Sequence, residues 1–178
     1  MKSDYTIRAY KFIEKLYPYI KDCHDVLEYL NAADLFSADY HRKVECASGM
    51  VRVAFITSVY VVKFDYNTDR SAIYGGCADE EKFYHFAQEK GFASLLAEIT
   101  HIRYCGRDFY IMPRIGGIGK CCECYAEEFL HGDELDFVNE YLEDLHDENY
   151  GWKNRHPVII DYAMNRFFLN ERDKREGW

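Results

Sequence analysis

The chain has 178 residues, enough for one domain or for two small lobes that share a cleft. Hydrophobic residues make up 48% of it, including 16 Tyr and 12 Phe, so an extensive core is expected and intrinsic disorder is not. The net charge of −9 argues against a general nucleic-acid-binding protein, because such proteins normally present a basic face.

The sequence also indicates the cellular compartment of the protein. The N-terminal residues do not have the pattern of a secretion signal, and no run approaches the roughly 20 apolar residues that a membrane span needs. The seven cysteines lack the spacing of a disulfide framework. We therefore expect a cytoplasmic protein with reduced thiols and no membrane association.

Residues 1–40 are predicted to form an N-terminal helical extension. Apolar and aromatic residues recur at helical spacing from residue 4 to residue 36, and Pro18 together with residues 22–25 divides them into two helices. We interpret the extension as a packing or interaction element that covers a sheet.

Three short antiparallel strands are predicted within residues 43–65, followed by a helix that begins at Asp79. Lys63 lies among apolar residues of the third strand, where burial of an ammonium is costly unless it has a partner. Helical spacing allows Glu80 to face inward as that partner, with Glu81 as the reserve candidate. Acidic residues are also favoured at helix N-termini because they interact well with the helix dipole. The sequence leaves open the alternative that Glu80 and Glu81 have only this role.

A hairpin follows within residues 101–112, and the Pro- and Gly-containing segment 113–120 then reads as a hinge. We place a lobe boundary here, between an N-terminal lobe at 41–113 and a smaller helical lobe at 114–178. In the second lobe, Asp133 is predicted to cap a helix that runs to about Glu143.

The most informative stretch is Asp144-Leu145-His146-Asp147-Glu148-Asn149-Tyr150-Gly151, together with an apolar strand that ends at Asp161. Phosphoryl transfer needs a lysine on the phosphates, metal ligands, and an acid near the attacking hydroxyl. In this scheme Lys63 binds the phosphates and is positioned by Glu80. Asn149 and Asp161 supply the oxygen ligands that Mg²⁺ prefers. Asp144 accepts the proton of the hydroxyl or orients it.

These residues resemble those of the protein-kinase-like superfamily, in particular the small kinase-like proteins of bacteria and their phages, whose catalytic loop reads D-L-H-x-x-N-x-G. The resemblance covers roughly residues 43–163. It implies an α+β, two-lobed fold: an antiparallel sheet with helix C in the N-terminal lobe, and a minimal helical C-terminal lobe. It also implies ATP and Mg²⁺ as cofactors, an adenine pocket at the hinge near Met112, and Asp144 as the catalytic acid or base.

Three features depart from the family pattern. Gly49 is the only glycine in the loop that should cover the phosphates, Asp161-Tyr162-Ala163 replaces Asp-Phe-Gly, and the second lobe lacks the helices on which protein kinases dock their substrates. An active enzyme would then be a minimal kinase, completed by a homo-oligomer or by a partner.

Two functional alternatives remain open at this point. The chain could be a pseudokinase-type ATP-binding regulatory or interaction protein without transfer activity, or it could transfer AMP instead of phosphate. The acceptor is open as well, either a small hydroxyl compound or a dedicated host protein.

A different kind of site is considered at Cys121-Cys122-x-Cys124, with Cys105 as a further thiol. Zinc sites usually show paired Cys-x₂-Cys or Cys/His spacing, which this cluster lacks. We therefore interpret these cysteines as reduced packing thiols. His146 is interpreted as a residue that braces the backbone of the catalytic loop.

Overall fold

The computed structural model describes residues 4–117, 129–143 and 145–176. Among them are six α-helices: α1 (Asp4–Ile20), α2 (Val26–Tyr40), α3 (Thr68–Tyr74), α4 (Cys77–Lys90), α5 (Asp133–Tyr141) and α6 (Arg166–Glu176). The same residues contain seven strands: β1 (Glu45–Ser48), β2 (Arg52–Ile56), β3 (Tyr60–Asp65), β4 (Thr100–Tyr104), β5 (Arg107–Pro113), β6 (Tyr150–Lys153) and β7 (His156–Ile159). Short 3-10 helices span Ala93–Leu95 and Asp147–Asn149.

The chain divides into two compact units. The first comprises Met1–Ser71 and Ile99–Arg114, and the second comprises Ala72–Glu98 and Ile115–Trp178. The α+β class and the antiparallel sheet expected from the sequence are confirmed.

The first unit is built on a five-stranded antiparallel sheet in the order β1-β2-β3-β5-β4. Alternating apolar residues bury one face of the sheet, because successive side chains of a strand point to opposite faces. On β3 the residues of this face are Val62 and Phe64, both fully buried, and they lie opposite Phe55 and Val53 of β2. The sheet was predictable from this two-residue period.

Helices α1 and α2 pack on that face. The buried residues of α1 recur every three or four positions, so they form one apolar stripe: Ala9, Phe12, Ile13, Leu16 and Ile20. The start of α2 is a capping box, in which Asp25 accepts from the Glu28 backbone N–H at 3.0 Å and the Glu28 carboxylate accepts from the Asp25 N–H at 3.3 Å. Residues 21–25 therefore separate the two helices. Pro18 lies inside α1, so its predicted part in the division was wrong.

The second unit contains α4, α5, α6 and the β6–β7 hairpin. Its core is aromatic, with Phe83 fully buried and the rings of Phe137 and Tyr162 centred 5.8 and 6.2 Å from the Phe83 ring. Ring pairs at such distances contribute beyond the area they bury.

Several local predictions were wrong. Residues 68–74 form α3, which was not predicted, and β6 was not predicted either. Asp133 is the first residue of α5 and not its cap, because the N-cap position is occupied by Gly132, which makes no side-chain bond. None of the helices in the described residues combines the length and apolarity required to cross a membrane.

The core of the first unit can be tested at Phe64, which is fully buried and has the rings of Phe109 and Tyr29 within 5.4 and 5.3 Å. We expect Phe64→Ala to lower the free energy of unfolding by about 3–5 kcal/mol, since it removes apolar contacts and leaves a cavity. Urea unfolding followed by circular dichroism measures the change. Leu27, 70% exposed on α2, provides the control, because Leu27→Ala should change stability by less than about 0.5 kcal/mol. Equal losses in the two variants would contradict the core assignment.

Candidate active site

Lys63 lies on the face of the sheet opposite α1 and α2. Its neighbours Val62 and Phe64 belong to the core beneath those helices, so the alternation of the strand turns Lys63 the other way. Its partners across the sheet are Ala54 on β2 and Tyr110 on β5. The lysine side chain is half-buried in this position.

Met112 and Gly49 belong to the same unit as Lys63. Met112 is 2% exposed and pairs with Val61, so it lies on the Lys63 face of the sheet, one strand away and displaced by two residues. Gly49 follows β1 directly and is exposed, and its N–H donates to the Arg52 carbonyl at 2.9 Å. The sequence assigned both residues to nucleotide binding, an assignment that stays a prediction.

Glu80 is a fully buried residue of α4. Its carboxylate accepts a hydrogen bond from the Tyr162 backbone N–H at 3.4 Å. Glu81 is half-buried and lies 4.0 Å from His85 on the surface of the same helix. Of the two glutamates that the sequence left as candidates, Glu80 is the one directed into the protein.

Asn149 and Asp161 flank the β6–β7 hairpin, one directly before it and one two residues after it. The pairing of Tyr150 with Ile159 brings these ends together, and the Ile160 N–H donates to the Asn149 carbonyl at 2.8 Å. Asn149 is 8% exposed, and Asp161 is half-buried. The backbone of Asn149 is thus joined to the residue that precedes Asp161.

The chain before Asn149 is folded into a short turn. The Asn149 N–H donates to the carbonyl of His146 at 2.8 Å, whereas the imidazole of His146 is exposed. His146 therefore contributes to the loop through its backbone. Asp144, the predicted catalytic acid or base, lies outside the described residues.

The last glycine of the loop motif has a steric explanation. A Cβ atom on Gly151 would lie 2.5 Å from a methyl carbon of Ile115 and 3.1 Å from the carbonyl oxygen of Gly116. The neighbouring Trp152 N–H donates to that carbonyl at 2.7 Å, which draws the two segments together. Any side chain at position 151 would therefore push β6 off this contact.

Tyr162 was not identified from the sequence as a site residue, yet it anchors the segment after Asp161. Its phenol is 1% exposed and donates to the Ala97 carbonyl at 2.7 Å, while the Ala97 N–H donates to Ile159 at 2.8 Å. Burial, with a further contribution from the Glu80 carboxylate, raises the pKa of this phenol well above its ordinary value. The hydroxyl is therefore protonated, and a hydrogen-bond donor, at neutral pH.

Gly75 and Asn165 contact the backbone of the segment that follows Asp161. Gly75 has a φ of +75°, and a Cβ there would lie 2.7 Å from the Ala163 carbonyl oxygen. The Asn165 amide is 1% exposed, donates to the carbonyls of Tyr162 and Ala163, and accepts from the Phe168 N–H at 3.0 Å as the cap of α6. In the sequence, the Gly75-Gly76 pair indicates a close approach of two backbone segments. Asn165, which directly precedes α6 with its aromatic residues, indicates a helix N-cap.

The cysteine cluster at Cys121, Cys122 and Cys124 lies outside the described residues. Cys105 is an exposed free thiol in the β4–β5 turn, and Cys77 is a buried one at the start of α4. Within residues 4–117, 129–143 and 145–176, no three His, Cys, Asp or Glu side chains form a group that could hold a metal ion.

Comparison of the chain with models of protein families, with curated proteins and with solved structures finds no match.

The close approach at Gly75 predicts a measurable difference between two glycines. Gly75→Ala should lower the free energy of unfolding by about 2–4 kcal/mol, because the new methyl group adds a clash with Ala163 to the strain of a positive φ. Gly91→Ala is the matched control, since Gly91 also has a positive φ, +86°, but open space at its Cβ position. It should cost only about 1–2 kcal/mol, the backbone strain alone. Thermal or urea unfolding of both variants gives the comparison, and equal losses would show that Ala163 does not lie against Gly75.

Proposed function

We propose that the protein is an ATP- and Mg²⁺-dependent phosphotransferase of protein-kinase-like fold. The observation that carries the proposal is that Asn149 and Asp161 both lie at the open end of the β6–β7 hairpin, where the Ile160 N–H donates to the Asn149 carbonyl at 2.8 Å. An acid that follows a hairpin strand, and an amide that precedes the hairpin, are the metal-binding groups of protein kinases.

The order of elements in the chain supports the same proposal. Lys63 is on the third strand of the sheet, and the next long helix along the chain carries the buried Glu80. In protein kinases the phosphate-binding lysine is likewise on the third strand, and its partner glutamate is on the helix that follows. A buried carboxylate on the first turn of α4 is unusual for a purely structural helix, because burial of a charge costs several kcal/mol.

The donor set fits Mg²⁺. This ion takes hard oxygen ligands and is usually held by one or two protein groups together with phosphate oxygens, so a site of three or more protein acids is not required. Asn149 and Asp161 would hold the ion, which would neutralise charge that develops on the phosphates.

The remaining roles fall to residues of the chain. Lys63 would bind the phosphates with its ammonium group, and Glu80 would orient Lys63. Asp144 would orient the acceptor hydroxyl and take its proton. Met112 would lie against the adenine base, and the turn at Gly49 would cover the phosphates. The acceptor would be a small hydroxyl compound or a dedicated protein.

Two substitutions separate binding from transfer. Asp161→Ala should abolish magnesium-dependent ATP binding measured by calorimetry, because it removes the anionic metal ligand. Asp144→Ala should leave that binding within about twofold and reduce transfer by at least about 100-fold, since a positioned acid or base contributes this much. Glu148, exposed in the same loop, provides the control, and Glu148→Ala should change neither quantity. Wild-type protein that binds ATP equally well with and without magnesium would contradict the assignment of Asn149 and Asp161.

The chemical outcome is read from the intact mass of the protein and of candidate acceptors after incubation with ATP and Mg²⁺. A phosphate adduct that Asp144→Ala prevents supports the phosphotransferase. An AMP adduct indicates nucleotide transfer in its place. Magnesium-dependent binding without any adduct after long incubation indicates a pseudokinase-type regulatory or interaction protein.

A further inference from the structure

A groove in the first unit carries an unusual concentration of positive charge. It has a volume of about 920 Å³ and lies between α1, the end of α2, the link to β1 and the β2–β3 turn. We call it the basic groove. Its cations come from two segments of the chain: Arg8, Lys11 and Lys15 from α1, and Arg42 and Lys43 from the link.

The three cations of α1 share one side of the helix. Positions 8, 11 and 15 are separated by three and four residues, which places their side chains in one row. At a rise of about 1.5 Å per residue this row extends over about 10 Å. A ligand that contacts the whole row must therefore be elongated.

Three of the five cations are not neutralised by a neighbouring carboxylate of the described residues. In the part of the chain that the structure describes, no carboxylate lies within ion-pair distance of Lys11, Lys15 or Arg42. Arg8 and Lys43 pair with Asp4 and Glu45 at 2.7 and 2.9 Å, and because both pairs are exposed they are weak enough for an anionic ligand to displace. The Lys15 ammonium lies 5.1 Å from the centre of the Tyr40 ring.

The groove is basic against an acidic background. The first unit has 13 Lys and Arg against 11 Asp and Glu, and the second has nine against 20. General basicity therefore does not explain five cations around one cavity. Like charges held together repel one another, and an anionic ligand would relieve that repulsion.

The floor of the groove is apolar. Phe12, Val44 and Tyr60 line it and are at most 9% exposed, and the partly exposed Val59 extends the apolar surface. Thr57 also lines the groove, but its hydroxyl is engaged within the turn, donating to the Tyr60 carbonyl at 2.8 Å. A fitting ligand therefore combines negative charges with a bulky apolar group.

We propose that the basic groove is a docking site for an acidic peptide segment of a partner protein, bound in an extended conformation along α1. A bulky apolar side chain of the peptide would pack on the floor, and acidic residues on either side of it would contact the lysines and arginines. An extended peptide places side chains of one face about 6.7 Å apart, so two or three of them match the length of the row. The groove lies wholly in the first unit and does not depend on phosphotransfer.

A nucleic acid fits the groove less well than a peptide does. Single strands bind through aromatic faces that are open for stacking. Phe12, Phe36 and Tyr60 are buried, and Tyr40 is already stacked on Phe36 at 4.6 Å.

The experiment uses fluorescein-labelled, end-blocked peptides in which a central Phe, Leu or Ser is flanked by pairs of aspartates. Binding to the full chain is followed by fluorescence anisotropy at low and physiological salt. We expect the Phe and Leu peptides to bind, and the Ser peptide and a Phe peptide with asparagines for aspartates to bind at least about tenfold more weakly. A labelled oligothymidylate of equal charge tests the nucleic-acid alternative.

Charge reversal locates the site. K11E with K15E should weaken binding of the Phe peptide at least about tenfold, since two attractions become repulsions. K21E with K153E is the matched control, because it changes the net charge equally at two exposed lysines outside the groove, and it should leave binding within about twofold. An unchanged circular dichroism spectrum shows that each variant is folded.

Each contrary result overturns the proposal. These results are no binding by any peptide, equal weakening by both double variants, equal affinity for the Ser and Phe peptides, and tighter binding of the oligothymidylate than of the Phe peptide.

Discussion

The buried carboxylate of Glu80 places the strongest constraint on the second unit. A charge that is removed from water costs several kcal/mol unless polar groups compensate for it, so the chain around Glu80 must supply them. One is the backbone N–H of Tyr162. This bond ties α4 to the residue directly after Asp161, and the phenol of the same tyrosine ties the segment to Ala97. The Glu80 carboxylate thus helps to position the segment that follows Asp161.

The hairpin fixes Asp161 from its other side. Strands β6 and β7 are only four residues each, and a hairpin of that size is marginal by itself in water. It is held by neighbours on both strands, through Trp152 to Gly116 and through Ile159 to Ala97. Hydrogen bonds on each side of Asp161 therefore connect it to Asn149, α4 and the segment after α4. A site that must hold oxygen ligands at fixed positions needs this kind of support.

How much of this could be read from the sequence depends on the range of the interactions. Strands β2 and β3 and helices α1 and α2 were predictable, because each carries its own apolar period. Strand β6 was not, because Gly151 and Lys153 interrupt any pattern and its pairing depends on β7. Helical spacing favoured Glu80 over Glu81 as the inward residue, and Glu80 is the buried one, since adjacent helical positions differ by about 100°. The prediction that Asp133 caps α5 was wrong, because Gly132 occupies the N-cap position. Acidic residues are favoured throughout the first turn of a helix, so an acid in the sequence does not distinguish the cap from the residue after it.

The uneven distribution of charge connects the two proposals. A unit with 20 acidic and nine basic residues repels polyphosphates, so the proposed binding of phosphates near Asn149 and Asp161 would depend on local compensation by a divalent ion. In the first unit, by contrast, five cations surround one apolar cavity and repel one another. Lys63 is on the sheet face opposite α1, whereas the basic groove is lined by α1 itself, so the two sets of residues can be changed separately. If the acceptor is a protein, an acidic segment bound in the groove would raise its effective concentration at the enzyme without any further helices in the second unit. Loss of groove binding would then raise KM for that acceptor and leave transfer to a small hydroxyl compound unchanged, whereas loss of Asp161 would abolish both.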